Sequence, residues 1–328
     1  MSTSKILAFA GLFLAALFIV LLFPKGGKAR VDEVPSVALQ QMPEKFQPSQ
    51  VEAPSFPEQL TSISSDADLP KEVDLMTKLF SPFPPTLPIV ETVSYATRVS
   101  WLTGRQAYLG DYAAYFNTSK HFIARSLHGD RNYLLERVRL GDRFNVLHRE
   151  KQIEFHLVLD LSRLKLWLYA YDEEEDCRYL LKSYPVCAGA LSPSCASGSL
   201  TPLGLFLIGK EKDTAIYKEG VLATWKKEPR EMMTVFGVRW IGFAKEIKDC
   251  TGSCKGLGFH GVPWRKDDEG RYIEYRECIG KYQSDGCIRL LSEDIEELYA
   301  IVTSRTTYAH IVRDFHQATL PGTLKISN

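Results

Sequence analysis

Apolar and polar positions divide the chain into four stretches of different texture. From Ile6 to Phe23 eighteen consecutive residues carry no charge, and only Gly11 falls outside the apolar set. Such a run is long enough to cross a bilayer as a helix. It ends in Leu21-Leu22-Phe23-Pro24 rather than at a small-x-small cleavage site. An uncleaved transmembrane anchor over residues 1–30 is therefore expected in place of a removed signal peptide. Residues 31–90 lose hydrophobic periodicity and collect ten prolines, with Ser81-Pro82-Phe83-Pro84-Pro85-Thr86-Leu87-Pro88 as the densest part. Proline removes backbone donors and favours extended chain, so this stretch reads as a linker, with a ligand for a proline-recognising module as the alternative.

Globular character returns over residues 91–150. Gly110 to Leu127 predicts a short helix, a polar turn at Asn117-Thr118-Ser119 and a second apolar helix. Val138 to Val146 predicts two short strands about the glycine turn at Gly141. From residue 151 onward short strands dominate. His156–Ser162 and Leu164–Ala170 alternate apolar with polar residues. Tyr184–Gly189, Gly204–Gly209 and Val235–Gly242 are each bounded by glycine or proline. One helix stands out: Ser292 is placed to cap it, Glu293, Asp294, Glu296 and Glu297 suit its positive end, and Ile295, Leu298, Tyr299 and Val302 make one apolar face. The expected architecture is a mainly β domain over 151–328 with a C-terminal helix, preceded by a small α+β module, a linker and an anchor.

The length of 328 residues suits two folded domains with accessory segments. With 45% apolar and 24% charged residues and a formal net charge of zero, no basic stripe is available for nucleic acid. Lys25, Lys28 and Arg30 follow the apolar run while only Lys5 precedes it. Taken alone, that asymmetry would leave the bulk of the chain in the cytoplasm, so its side of the membrane must be decided by the chemistry downstream.

That chemistry centres on Phe259-His260-Gly261-Val262-Pro263-Trp264 and Ser284-Asp285-Gly286-Cys287-Ile288-Arg289-Leu290. A thiol attacks a carbonyl as thiolate, and an imidazole within hydrogen-bond reach favours that form. Cys287 and His260 are the natural pair. Gly286 permits a tight turn that turns N–H groups toward an oxyanion, and Arg289 falls on the same strand face as Cys287, where its charge suits a substrate carboxylate. The residues alone leave open a buried structural cysteine and a packed or strand-end histidine. Cys177, Cys187, Cys195, Cys250, Cys254 and Cys278 remain, an even number that permits up to three disulfides in an exported domain. Cys187 with Cys195 and Cys250 with Cys254 flank Gly/Ser-rich turns and are candidate local bridges; free thiols are the alternative. No CxxC pair with partnered histidines occurs, so neither a metal nor a cofactor is expected.

Thr201-Pro202-Leu203-Gly204-Leu205-Phe206-Leu207-Ile208, His260-Gly261, Ser284 to Leu290 and the helix with Glu297-Leu298-Tyr299 resemble successive signatures of the YkuD-type L,D-transpeptidase domain. Leu166-Trp167-Leu168-Tyr169 is similar to its opening hairpin, so the likeness runs from about Gln152 to Val312. The resemblance implies a β-rich enzyme of peptidoglycan. Cys287 would be the nucleophile, attacking the third residue of a stem tetrapeptide with release of D-alanine, and His260 the base. Gly286 and Cys287 would supply oxyanion N–H groups, and Arg289, Ser284, Asp285 and Gly261 would shape the site. The acyl group would pass to the amine of a neighbouring stem, giving a 3-3 cross-link, or to a protein amine. Hydrolysis by an L,D-carboxypeptidase or amidohydrolase of the same fold, or an inactive cell-wall-binding scaffold, are the alternatives. Carbapenem-type inhibitors would acylate Cys287.

The segment 91–150 resembles a LysM module, which implies glycan binding. A peptidoglycan substrate places the domain outside the cytoplasmic membrane, in the periplasm or beyond, and outweighs the flanking charges. The chain departs from the commonest pattern at Asp285, where a second histidine would stand. A carboxylate there cannot donate a proton at neutral pH and disfavours a thiolate beside it; stabilising the turn before Gly286 is its expected role.

Overall fold

The computed structural model describes residues 65–128, 138–210 and 213–325. Among them a short helical turn at Asp66–Asp68 leads to α1 (Met76–Phe80), β1 (Val90–Ser94), α2 (Leu109–Tyr115), α3 (Lys120–His128) and β2 (Arg143–Leu147). A meander follows: β3 (Ile153–Asp160), β4 (Lys165–Asp172) and β5 (Cys177–Pro185). Next come β6 (Ala188–Gly189), β7 (Gly204–Ile208), β8 (Thr214–Ile216), β9 (Leu222–Trp225), β10 (Glu228–Glu231), α4 (Met233–Phe236) and β11 (Arg239–Lys248). The last third holds β12 (Gly258–Gly261), β13 (Trp264–Lys266), β14 (Tyr272–Glu274), β15 (Tyr282–Ser284), β16 (Ile288–Leu290), α5 (Ser292–Val302), β17 (Thr307–Val312) and β18 (Thr323–Lys325).

One sheet organises most of these strands, in the order β16-β12-β11-β7-β17-β3-β4-β5-β18, with β8 paired to β11. Its centre is assembled from distant parts of the chain. β17 lies parallel to β3, from Thr307 opposite Phe155 to Val312 opposite Asp160, and antiparallel to β7. The sheet is covered on both faces, which explains why β3 reads as a nearly unbroken apolar run rather than a clean alternation. Phe155, Leu157 and Leu159 enter the main core with Leu166, Leu168, Phe206, Ile295, Leu298 and Ile301. Val158, Trp167, Tyr169 and Leu180 point to the other side, beneath Leu69, Val73, Phe315 and Leu320. Opposite β7, the register of β11 shifts between Phe243 and Lys245 and again between Glu246 and Lys248. Bulges of this kind bend a strand and increase its twist. The remainder of β11 pairs with β12, and β12 pairs in parallel with β16.

Upstream, β1 and β2 pair antiparallel and α2 and α3 connect them. Tyr95, Tyr112, Phe116, Ile123, Leu127, Phe144 and Val146 form a separate small core there. The two helices about the polar turn and the strand after Gly141 correspond to the elements read at 91–150. The serine of the turn is tied to the C-terminal helix: Ser119 N–H donates to Ser304 Oγ at 3.1 Å, and Ser119 Oγ donates to Ala300 O at 2.9 Å.

The linker reading needs correction at its C-terminal end. Met76, Leu79, Phe80, Leu87 and Ile89 are buried in the main core, and Leu75 N–H donates to Leu181 O at 2.8 Å. The physical reason is spacing: Met76, Leu79 and Phe80 fall at i, i+3 and i+4, an apolar stripe that the prolines leave intact because none lies inside α1. Ser292 likewise does not cap α5. Leu291 occupies the cap position and Ser292 opens the helix, its N–H held by Glu274 Oε1 at 2.7 Å. The helix is also not the end of the fold, since β17 and β18 follow it. The anchor expected over residues 1–30, and residues 31–64, lie outside the described residues. No helix among the described residues is long and apolar enough to cross a membrane.

Candidate active site

Parallel pairing of β12 with β16 puts Phe259 opposite Ile288, His260 opposite Arg289 and Gly261 opposite Leu290. Cys287 immediately precedes β16, so it and His260 sit diagonally across two neighbouring strands. Phe259, Ile288 and Leu290 are fully buried and anchor the two strands in the core. Cys287 is 9% exposed and His260 3% exposed. Phe236 meets the imidazole edge-on at 5.3 Å between ring centres, and Trp240 stacks over it at 5.9 Å.

The turn that carries Cys287 is held by Ser284 rather than by Asp285. Ser284 Oγ accepts from Gly286 N–H at 3.1 Å and donates to Cys287 O at 2.5 Å. Gly286 has φ of 118°, and a Cβ there would lie 2.9 Å from Leu200 O. Its carbonyl accepts from Thr201 Oγ1 at 2.9 Å, and Thr201 Oγ1 in turn accepts from Gly189 N–H at 2.8 Å. Thr201 is thus a strut beneath the turn, a role not readable from its place at the head of Thr201–Ile208. Because Gly286 N–H is committed to Ser284, Cys287 N–H is the remaining candidate of the two for an oxyanion.

Asp285 points outward and pairs with Lys226 Nζ at 3.3 Å, both side chains being about 60% exposed. Lys226 comes from the turn between β9 and β10, and Trp225 at the end of β9 packs edge-on against Phe236. Asp285 thus ties the outer face of the turn to the β9–β10 hairpin, while Ser284 holds the turn from within. An exposed pair of this kind is worth about 0–1 kcal/mol. Asp285→Asn is expected to change the acylation rate of Cys287 by less than about tenfold, measured by intact-mass kinetics with a carbapenem; a larger loss would assign Asp285 a direct part in the chemistry.

The resting pair is neutral. Burial pushes the Cys287 thiol up to about 11, against a backbone hydrogen bond from Gly258 and the Arg289 charge. Burial, followed by the Arg289 charge, brings the His260 imidazole down to about 3. His260 Nδ1 lies 2.7 Å from Gly261 O, and the carbonyl of Phe236 also faces the ring. Cys287 Sγ lies 3.8 Å from Gly256 O. The arrangement differs from the thiolate expected from the sequence, because neither ring nitrogen takes the thiol proton at rest. A thiol whose pKa is raised becomes thiolate only at higher pH. Alkylation of Cys287 by iodoacetamide in the free chain is therefore expected to climb steadily through pH 9 without levelling, as read by peptide mass spectrometry across a pH series.

Arg289 is anchored at its backbone: Cys187 N–H donates to Arg289 O at 2.9 Å and Arg289 N–H to Cys187 O at 2.8 Å. Its charge acts on Cys187, Cys278, Cys287 and His260. All seven cysteines are unbridged, the free-thiol alternative to the local bridges read from the turns. Cys187 faces inward to Cys278 and Val262 instead of toward the partly exposed Cys195.

A cysteine and a histidine buried two register positions apart on paired strands, with a glycine turn before the cysteine, make a site suited to acyl transfer through a thioester. Residues 154–313 match the YkuD family model, the L,D-transpeptidase catalytic domain, in agreement with the motifs seen in the sequence. The match leaves the segment 91–150 outside, so its likeness to LysM rests on sequence alone. No curated protein matches the chain. Among solved structures, the helical cell shape determining protein Pgp2 from Campylobacter jejuni is 14% identical, over 52% of this chain and 50% of that one, with a TM-score of 0.34. Bd1075 of Bdellovibrio bacteriovorus is 17% identical, over 49% of this chain and 48% of that one, with a TM-score of 0.31. The chain thus covers about half the length of each.

Proposed function

We propose that this chain is an L,D-transpeptidase of peptidoglycan, anchored by its N-terminal apolar run with the catalytic domain outside the cytoplasmic membrane. The observation that carries the reading is the diagonal placement of Cys287 and His260 on paired strands inside the matched segment. When a stem tetrapeptide enters, rotation of the thiol toward the imidazole lets neutral His260 accept its proton. The sulfur attacks the carbonyl of the third residue, Cys287 N–H faces the oxyanion, and the protonated imidazole returns its proton to the leaving amine of D-alanine. The thioester is then opened by the amine of a second stem. Burial at the site favours an amine acceptor by limiting water, while the outward Asp285 leaves hydrolysis as the second reading, since the chain lacks the additional histidine at that place. The segment 91–150 would hold glycan in a LysM-like manner.

Incubating the chain from residue 65 onward with tetrapeptide muropeptides, followed by mass spectrometry, tests this. The expected products are 3-3 dimers and free D-alanine, both absent with Cys287→Ala. Tripeptides without dimers would replace transpeptidation by carboxypeptidase action. An unchanged spectrum would remove the enzyme reading altogether.

A further inference from the structure

Outside the site, one cluster of nucleophilic side chains has no assigned task. Cys187 and Cys278 are both fully buried, packed with Val262 and flanked by Tyr275 and Ile279. The backbone brings them together independently of the side chains. Gly280 N–H donates to Val186 O at 2.9 Å, Ala188 N–H donates to Lys281 O at 3.2 Å, and Lys281 N–H closes a turn onto Cys278 O at 3.1 Å. Residues 278–281 therefore run alongside 186–188, with Cys187 between the two cross-links. Cys187 Sγ donates to Ala188 O at 3.7 Å and Cys278 Sγ to Tyr275 O at 3.3 Å.

We propose that Cys187 and Cys278 are a disulfide-forming pair, oxidised by a small-molecule or protein disulfide carrier. The Cys187 thiolate attacks one sulfur of the carrier, forming a mixed disulfide and releasing one carrier thiol. Cys278, giving up its proton, then attacks the Cys187 sulfur, and the second carrier thiol leaves. Two protein thiols are oxidised and one carrier disulfide is reduced to two thiols, so atoms and electrons balance. The roles of the two thiols are interchangeable while the chain is unfolded and both are accessible to the carrier. The bond would pin the segment after β14 against the strand that grips the Arg289 backbone, and so brace the region behind the nucleophile turn. This inference stands on packing and does not depend on the proposed substrate.

The test uses the full chain, reduced and unfolded in guanidinium so that burial cannot withhold either thiol, then refolded in a glutathione redox mixture. The product is blocked with iodoacetamide and digested without reduction. The expected result is a single linked peptide pair joining Cys187 to Cys278, lighter by two hydrogen atoms than its free components, with neither residue alkylated. In Cys278→Ala, Cys187 should become alkylated and the linked pair should vanish. Alkylation of both residues in refolded wild-type chain, or linkage of either to another cysteine, would overturn the proposal.

Discussion

His260→Ala is expected to slow acylation of Cys287 by about 10²-fold, the low end of what a positioned general base supplies, because a ring lowered to about 3 is a weak base. The magnitude follows from the neutral resting pair. With the thiol raised to about 11 and the imidazole lowered to about 3, thiolate is scarce at neutral pH and the ring is available as a proton acceptor throughout the working range. Removing the ring leaves only the small population of spontaneous thiolate. The variant's rate should then rise about tenfold per pH unit as hydroxide takes over. The wild-type chain should be nearly flat from pH 5 to 8, because a lowered imidazole pKa keeps the base unprotonated there. Stopped-flow or intact-mass measurement of carbapenem acylation reads both slopes. Equal rates for variant and wild type would remove His260 from the mechanism.

Glu297→Ala is expected to destabilise the fold by about 3–5 kcal/mol, because it leaves buried charge without its partner. Glu297 projects from α5 into the seam between the upstream unit and the sheet. It accepts from Arg125 at 3.3 Å, Lys182 at 2.8 Å and the Tyr184 hydroxyl at 3.0 Å. Its side chain is 8% exposed and that of Arg125 9%. Arg125 Nη1 already has no partner, so losing the carboxylate would abandon the whole guanidinium. Glu297→Gln keeps acceptor capacity and should cost less. Urea unfolding of the described span checks both variants, and a loss under 1 kcal/mol for alanine would show the network to be ornamental.

Much of this organisation can be read along the chain. The strand-length runs at His156–Ser162 and Leu164–Ala170 form the β3–β4 hairpin, and Ile295, Leu298, Tyr299 and Val302 face the core as their spacing requires. Cys287 and His260 lie in short motifs, and strand pairing brings those motifs together. What escapes the sequence is whatever depends on a neighbour far along the chain. Asp285 and Ser284 are both plausible turn-holders, and only the fold shows that Ser284 faces inward while Asp285 meets Lys226. The pairing of Cys187 with Cys278 follows from two backbone cross-links that no local spacing encodes. The prolines of residues 82–88 hide the fact that Leu87 and Ile89 between and after them are core residues.

The insertion of β17 between β3 and β7 sets the order in which the molecule can be finished. The two sheet edges it joins are synthesised early and stay unpaired until residues 307–312 arrive, and the pairing spans most of the domain. Such long-range parallel contacts form slowly. A chain stopped before Thr307 is thus not a shortened enzyme but two half-sheets with open edges, each a template for pairing with another molecule. Completeness of the C-terminus therefore decides between a closed fold and a sticky fragment, although no residue of β17 belongs to the reacting pair.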